Sequence, residues 1–398
     1  MRKITVLIAS IFLCSVAHAR DDLFSFEFEE IAENVWVGVR PESPRFPVMG
    51  NTMFVISDEG VVVFDSGGVS AMADQIIDKV RSLTTKPVTH VVTSHWHGDH
   101  NFGVHRFAEE FPDVQFVAHR FTSDVINSSR IEYIDRSRTF IERNRELFET
   151  AVATGKDLDG NAVSKSDQKV YALIIEDADV IDAEYQRIRV TPPNVVMDDN
   201  LIIKSGDRII ELRHLGQANT AGDIVMWLPD EPIVATGDIV VLPTPYAFNV
   251  PPRAWSETLR NLKELDYKTL VPGHGTIQTD TSYVDLIIEA ADSIADQRAA
   301  MLADGMSSDD IGAALDFSAF EDRFIGGDDY LQDYYDSWFE GPFRLAAMKA
   351  LTGEPMVAIE RRARSSCKEA PPYLRAPRSR MASSSSIWRF PGNVVLRG

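Results

Sequence analysis

Short runs of apolar and β-branched residues, separated by polar turns, occur in two series along the chain. Runs of this length and composition predict β-strands. Within the first series, the turn Asp58-Glu59-Gly60 predicts a hairpin. The first series covers residues 35–39, 51–57, 60–65, 88–94 and 114–118, and the second covers residues 201–204, 208–214, 224–228, 233–236 and 269–271.

Segments with helical spacing of apolar residues follow the strands of each series. Residues 70–83 and 104–111 accompany the first series, and residues 256–265 accompany the second. The pattern therefore predicts an α/β protein made of two similar halves, each with strands followed by helix. We expect one main domain over about residues 20–300.

Two further regions are helical in pattern and carry no candidate chemistry. A helical insertion of about residues 121–190 contains predicted helices at 131–151 and 171–187, with a break at 155–167. We expect it beside the substrate groove or at an oligomer contact. A C-terminal helical section of residues 301–360 follows the domain. A helix predicted at 281–303 leads into this section, and further helices are predicted at 308–315 and 330–351.

The chain has 398 residues, 44% of them hydrophobic, which is enough for a substantial core. Its net charge is −20, although residues 361–398 carry nine Arg or Lys against one Glu. So acidic a body favours a small-molecule substrate over nucleic acid or an anionic membrane. The tail of residues 361–398 is of low complexity and is expected to be disordered. It is either a basic docking tail or a non-native reading-frame extension.

The N-terminus has the order of a secretory signal peptide. Met1-Arg2-Lys3 precedes an apolar run and Ala17-His18-Ala19, so we expect residues 1–19 to be removed and the protein to be periplasmic or secreted. The apolar run is too short to span a bilayer, so no membrane anchor is expected. Cys14 would leave with the signal, which makes Cys367 the only cysteine of the mature chain and excludes an internal disulfide.

Four potential metal ligands lie within six residues directly after the strand predicted at 88–94. They are His95, His97, Asp99 and His100. Alternate side chains of an extended segment share a face, so the first three can converge while His100 turns in where the next segment begins. Imidazole and carboxylate donors suit zinc, with iron or manganese as alternatives. A solvated polar loop is the competing interpretation, which three histidines in six residues disfavour.

The spelling H-x-H-x-D-H resembles the signature of the metallo-β-lactamase fold superfamily of hydrolases, and further matches follow in the order of that family. Upstream, the strand ending at Asp65 resembles its first motif. Downstream, Thr236-Gly237-Asp238 resembles the motif of the metal-bridging Asp, and Gly273-His274-Gly275 that of the last ligand histidine. The resemblance runs from about residue 35 to 292. It implies a four-layer αββα sandwich with the metals at one edge, between the sheets.

One position departs from the family pattern. The third motif normally supplies a histidine, whereas this chain has Asn219 there. An amide oxygen is a weaker zinc donor than imidazole, so we expect His95, His97 and Asn219 to hold a metal less firmly than Asp99, His100 and His274 with Asp238. One or two zinc ions are thus expected. His214, five residues before Asn219, is interpreted as an ordinary histidine and not as a replacement ligand.

The ligand set favours hydrolysis of a carbonyl centre, or less readily a phosphoryl centre, by an activated water. Asp99 is expected both to ligate and to orient that water, and Asp65 to act from behind the ligands by holding a histidine or the loop. A β-lactam, a lactone and a thioester all fit as substrates. Two alternatives stay open: a degenerate metal-binding protein with little turnover, and an iron-dependent oxygenase of the same fold.

Overall fold

Two β-sheets stacked on one another form the centre of the fold, as seen in a computed structural model that describes residues 23–41, 43, 45, 48–247 and 251–349. The first sheet has its strands in sequence order, antiparallel from β1 to β4 and parallel from β4 to β7. Its strands are β1 (Glu27–Ala32), β2 (Val35–Val39), β3 (Thr52–Ile56), β4 (Val61–Phe64), β5 (Val88–Val92), β6 (Gln115–His119) and β7 (Val195–Met197).

The second sheet has the order β12-β11-β10-β9-β8, antiparallel except for the parallel pair β11 and β12. Parallel strands place their carboxyl ends at one edge of a sheet, and the connections there carry the candidate ligands. The strands are β8 (Asn200–Ser205), β9 (Arg208–Arg213), β10 (Val225–Leu228), β11 (Ile233–Ala235) and β12 (Thr269–Val271).

Helices cover the outer face of each sheet. The first eight are α1 (Ser70–Leu83), α2 (Gly98–Asn101), α3 (Val104–Glu110), α4 (Arg120–Arg138), α5 (Phe140–Thr154), α6 (Lys165–Glu176), α7 (Ala178–Arg187) and α8 (Pro252–Lys263). The remainder are α9 (Ser282–Ala303), α10 (Ser308–Ala314), α11 (Glu321–Ile325), α12 (Asp329–Tyr334), the π-helix Tyr335–Glu340 and α13 (Gly341–Lys349).

The core has three layers of apolar side chains. Alternate residues of β3 contribute to two of them. Met53 and Val55 pack between the sheets, whereas Phe54 and Ile56 face the helices on the outside of the first sheet. A third cluster joins the outer face of the second sheet to α8, α9 and the C-terminal helices, with fully buried Trp255 at its centre. The predicted αββα sandwich is therefore confirmed.

Most predicted strands and helices are present, and the differences have local causes. The helix predicted at 131–151 is instead two helices, α4 and α5, that meet at Thr139, whose Oγ1 donates to Asp135 O at 3.0 Å. The helix predicted at 171–187 is likewise divided at Asp177, a buried carboxylate that pairs with Arg45. At both points the backbone leaves helical geometry, with φ of −100° and ψ of 12° at Thr139 and φ of −97° and ψ of 5° at Asp177.

The sequence did not predict two edge elements or the division of the last long helix. Strand β1 is mostly exposed and β7 has three residues, so neither shows a clear apolar pattern. Residues 330–351 were predicted as one helix, but within the described part a π-helical segment separates α12 from α13.

The predicted signal peptide, the tail of residues 361–398 and Cys367 lie outside the described residues. Within the described ranges, no helix combines the length and the apolar content that crossing a membrane requires.

Candidate metal centre

The candidate ligands lie on connections at one edge of the two sheets. His95, His97, Asp99 and His100 follow β5, Asp238 follows β11, and His274 follows β12. All six are buried, none more than 5% exposed. The connections approach closely, since a Cβ on Gly237 would lie 2.6 Å from Ser94 Cβ. Glycine at 237, with φ of 50°, therefore lets the Asp238 turn lie against the histidine loop.

Asp99, His100, Asp238 and His274 form what we call the four-donor group. Each offers one ligand atom, and these atoms all lie within 4.8 Å of one another. His100 Nε2 is 3.0 Å from Asp238 Oδ1 and 3.2 Å from His274 Nε2. His274 Nε2 is 3.1 Å from Asp99 Oδ2. Two imidazoles and two carboxylates converging on one point are a suitable donor set for a divalent cation.

His95 and His97, which we call the histidine pair, lie beside this group and share Asp238 with it. His95 Nε2 is 2.9 Å from His97 Nδ1 and 3.5 Å from Asp238 Oδ2. These three residues also place one donor each within 4.8 Å of the others. One oxygen of Asp238 thus faces the four-donor group while its other oxygen faces the histidine pair.

Asn219 lies where the family pattern expects a third histidine beside the pair. Its Nδ2 donates to Asp238 Oδ2 at 2.9 Å and is 3.3 Å from His97 Nδ1. Within the part of the chain that the structure describes, the fully buried Asn219 Oδ1 has no hydrogen-bond partner. A buried amide oxygen without a hydrogen bond is costly unless a cation or water satisfies it, so the residues present fit a metal here.

Asp65 supports the centre through hydrogen bonds to His100 and to Ser94, the residue before the histidine pair. Its Oδ1 accepts a hydrogen bond from Ser94 N, and its Oδ2 accepts from Ser94 Oγ and from His100 Nδ1, all at 2.8 Å. Because Nδ1 of His100 is used in this way, Nε2 is directed into the four-donor group. The position agrees with the supporting role predicted for Asp65, and that role itself stays a prediction.

The electrostatics of the four-donor group favour a cation. Burial by itself lowers the pKa of His274, but Asp238 and Asp99 outweigh it and raise that pKa to about 9. The same carboxylates, with Asp65, raise the pKa of His100 well above its ordinary value. The pKa of Asp238 is held well below its usual range by His100 and His274, against the effect of burial. In the metal-free protein, protons therefore neutralise charge where a metal ion would sit.

The histidine pair behaves differently. Burial lowers the pKa of His95 to about 3, and the nearest carboxylate, Asp238, offsets this only in part. His95 is thus neutral at pH 7 and ready to donate a lone pair without losing a proton.

His214 does not join either set of donors. Its Nδ1 donates to Asp223 O at 2.9 Å, and its ring stacks on His119 with centroids 4.4 Å apart. The interpretation of His214 as an ordinary histidine agrees with these contacts.

Sequence reasoning missed several residues that contact the ligands. Asn101 Nδ2 donates to the carbonyls of His95 and His97 at 3.2 and 2.6 Å. Its position directly after H-x-H-x-D-H was the available signal. Tyr246 packs against His274 with ring centroids 5.3 Å apart and against Trp338 at 4.9 Å. No local pattern connects these three aromatic rings, because the contact depends on how the C-terminal helices fold back.

Comparison with known proteins agrees with this fold and site. Residues 45–274, more than half of the chain, match the family model of the metallo-beta-lactamase superfamily. The chain belongs to the metallo-beta-lactamase superfamily. The buried cluster Asp99, His100, Asp238 and His274, which could hold a metal ion, lies within the matched residues.

Individual relatives are distant. A linear primary-alkylsulfatase of Pseudomonas sp. (strain ATCC 19151) is 20% identical over 296 residues, which are 70% of this chain and 51% of that protein. The solved sec-alkylsulfatase Pisa1 of Pseudomonas sp. is 14% identical with a TM-score of 0.55, over 87% of this chain and 52% of that one. This chain thus spans about half the length of either alkylsulfatase.

A metallo-beta-lactamase from Pontibacter korlensis is 16% identical with a TM-score of 0.44, over 67% of this chain and 99% of that one. At 14% identity, the sec-alkylsulfatase structure bears on the fold alone.

Proposed function

We propose that the protein is a zinc-dependent hydrolase that uses an activated water on the carbonyl centre of a small substrate, such as a β-lactam, a lactone or a thioester. The observation that carries the proposal is the position of Asp238, whose two oxygens face two separate sets of donors. That arrangement suits two metal ions bridged by one carboxylate, the design that metal-assisted hydrolysis commonly uses.

The four-donor group would hold one ion, and the histidine pair with Asn219 would hold the other, once the amide turns so that Oδ1 replaces Nδ2 beside His97. A bound zinc ion supplies Lewis acidity, which makes water a better nucleophile and withdraws electrons from the carbonyl group. Histidine and carboxylate donors without a cysteine suit this metal, and they also suit iron. An iron-dependent oxygenase is therefore the alternative that metal analysis tests.

Asp99 is the residue best placed to handle the proton of the attacking water. Its Oδ2 lies near His100 and His274, whereas its buried Oδ1 has no hydrogen-bond partner among the described residues. Against the effect of burial, His100 and His274 hold the pKa of Asp99 below its usual range, so this carboxylate is ionised at neutral pH. Oδ1 is thus free to orient water by accepting its hydrogen bond.

A second candidate substrate is an alkyl sulfate ester, which the alkylsulfatase of Pseudomonas sp. favours through its similarity over 70% of this chain. The chemistry is again attack by an activated water, but with a sulfate leaving from an alkyl chain. The two proposals share the metal centre and differ in the reacting atom.

We also propose that the protein acts outside the cytoplasm, because residues 1–19 have the order of a signal peptide. Mass spectrometry of protein isolated from its host is expected to give an N-terminus near Arg20. An intact Met1 on cytoplasmic protein would reject export.

The function is tested by metal analysis of the full chain together with a substrate panel: a β-lactam, a lactone, a thioester, an alkyl sulfate and a phosphodiester. We expect bound zinc and turnover of a carbonyl substrate, both lost in a His97→Ala/His100→Ala double variant. A Leu158→Ala variant, at an exposed loop position, is the matched control and should keep both.

Each outcome of the panel has a distinct meaning. Turnover of the alkyl sulfate alone selects the second candidate. No turnover with metal fully bound indicates the degenerate metal-binding protein, and wild-type zinc content in the double variant rejects the metal centre itself.

A further inference from the structure

The short segment before β3 packs against His100 and hydrogen-bonds to the backbone on both sides of His274, although it contains none of the ligand motifs. Gly50 and Asn51 are buried there, and Asn51 is 3% exposed. The segment belongs to the first sheet, whereas His274 belongs to a connection of the second sheet. Its contacts therefore join the two halves of the sandwich at the metal centre.

Asn51 holds the backbone on both sides of His274. Its Nδ2 donates to Pro272 O at 3.0 Å and to Gly275 O at 2.9 Å, and its backbone N donates to Gly273 O at 2.7 Å. Its Oδ1 accepts a hydrogen bond from Arg40 N at 2.9 Å. The amide thus uses both N–H groups and its oxygen, which fixes its orientation and the position of the His274 loop.

Gly50 holds the other histidine by close packing. A Cβ on Gly50 would lie 2.4 Å from His100 Cε1 and 2.7 Å from Nδ1, far inside normal contact. The ring has no easy way to move, because its Nδ1 donates to Asp65 at 2.8 Å. His100 is thus held between the backbone of Gly50 and the carboxylate of Asp65.

Two neighbouring residues therefore set the positions of two ligands that are 174 residues apart in sequence. We propose that Gly50 and Asn51 are positioning residues of the metal centre, which fix the separation of His100 and His274. The inference rests on the four-donor group of the proposed function and does not depend on the substrate. Neither residue is expected to touch the metal or the reacting atoms.

The test is a zinc titration of the full chain against a competing chromophoric chelator. Asn51→Ala removes the two side-chain hydrogen bonds to the His274 loop, and Gly50→Ala pushes a methyl group against His100. Loss of an outer partner of a ligand typically costs 10- to 100-fold in metal affinity, so we expect the dissociation constant of the tighter zinc to rise by about that factor in Asn51→Ala. Gly50→Ala should change it in the same direction.

Two control variants impose similar local damage elsewhere. Asn194 Oδ1 accepts from Phe116 N at 2.8 Å near the start of β6, so Asn194→Ala removes a comparable long-range hydrogen bond. A Cβ on Gly341 would lie 2.9 Å from Asp336 O, so Gly341→Ala creates comparable crowding in the C-terminal helices. Both controls should keep the wild-type zinc dissociation constant, even where the melting temperature of the metal-free protein falls.

Wild-type zinc affinity in Asn51→Ala and Gly50→Ala, or equal weakening in the controls, would overturn the proposal. If Asn51→Ala does not fold by circular dichroism, the comparison of Gly50→Ala with Gly341→Ala decides the matter. Failure of the proposed function looks different: the wild-type protein would bind zinc and hydrolyse nothing, or would bind no zinc at all.

Discussion

The four-donor group and the histidine pair share Asp238 but differ in charge. The four-donor group brings two carboxylates, Asp99 and Asp238, against two imidazoles, and its His274 has a pKa raised to about 9. In the histidine pair, burial lowers the pKa of His95 to about 3, so this imidazole is neutral at pH 7. The four-donor group thus brings two carboxylates to a cation, whereas the histidine pair adds the neutral lone pair of His95. The difference in affinity expected for the two sites thus has two sources, the charge of the donors and the amide at Asn219.

Both sets of donors share Asp238, so a change at this residue tests the comparison between them most directly. Asp238→Asn removes the negative charge that faces both sets of donors, and an amide cannot bridge two cations as a carboxylate does. We expect both zinc dissociation constants to rise by more than about a hundredfold, which exceeds the usual cost of losing an outer partner. The measurement is a competition titration with zinc, with turnover measured alongside.

The matched control is Asp230→Asn, a charge removed from an exposed turn between β10 and β11. It should leave both zinc dissociation constants unchanged. Loss of only one zinc from Asp238→Asn would contradict the bridging position.

A change at Asn219 tests the site that is expected to bind zinc more weakly. Asn219→His supplies imidazole in place of an amide oxygen, so we expect the weaker zinc to bind about tenfold more tightly, a gain of about 1.4 kcal/mol. The dependence of turnover on added zinc should flatten. Calorimetric titration of wild type and variant provides the test.

Asn219→Ala is the control for Asn219→His, because it removes the amide without adding a donor and should weaken the same site. Two equally tight sites in the wild type, or no gain in Asn219→His, would show that Asn219 is not the weak ligand. Both variants remove the amide that donates to Asp238, and they differ in whether an imidazole replaces it.

The sequence predicted two series of strands because buried strands are marked by apolar runs, and the resemblance to the superfamily implied their stacking as a sandwich. It also located the ligands, since metal binding requires particular side chains at close spacing, as from His95 to His100. It placed Asp65 behind the ligands, but it did not reveal the contacts of Gly50 and Asn51 with His100 and the His274 loop. Asn51 contacts the His274 loop across 221 residues, and Gly50 acts by lacking a side chain, so neither leaves a local pattern. The divisions of the helices at Thr139 and Asp177 were also missed, because a change of backbone angles at one residue leaves the helical spacing of apolar residues on either side intact.

The smallest expected effect is a difference in proton release between the two binding steps. Zinc requires neutral imidazole, so binding to the four-donor group at pH 7 must displace the protons that Asp238 and Asp99 hold on His274 and His100. Binding at the histidine pair displaces none from His95, which is already neutral. Because the pKa of His274 lies at about 9 and that of His100 is also raised, the first step should tighten as pH rises from 7 towards 9. Calorimetry in buffers of different ionisation enthalpy counts the protons of each step, and Asn219→His should leave the count of the first step unchanged. Equal proton release in both steps would remove the electrostatic distinction between the two halves of the centre.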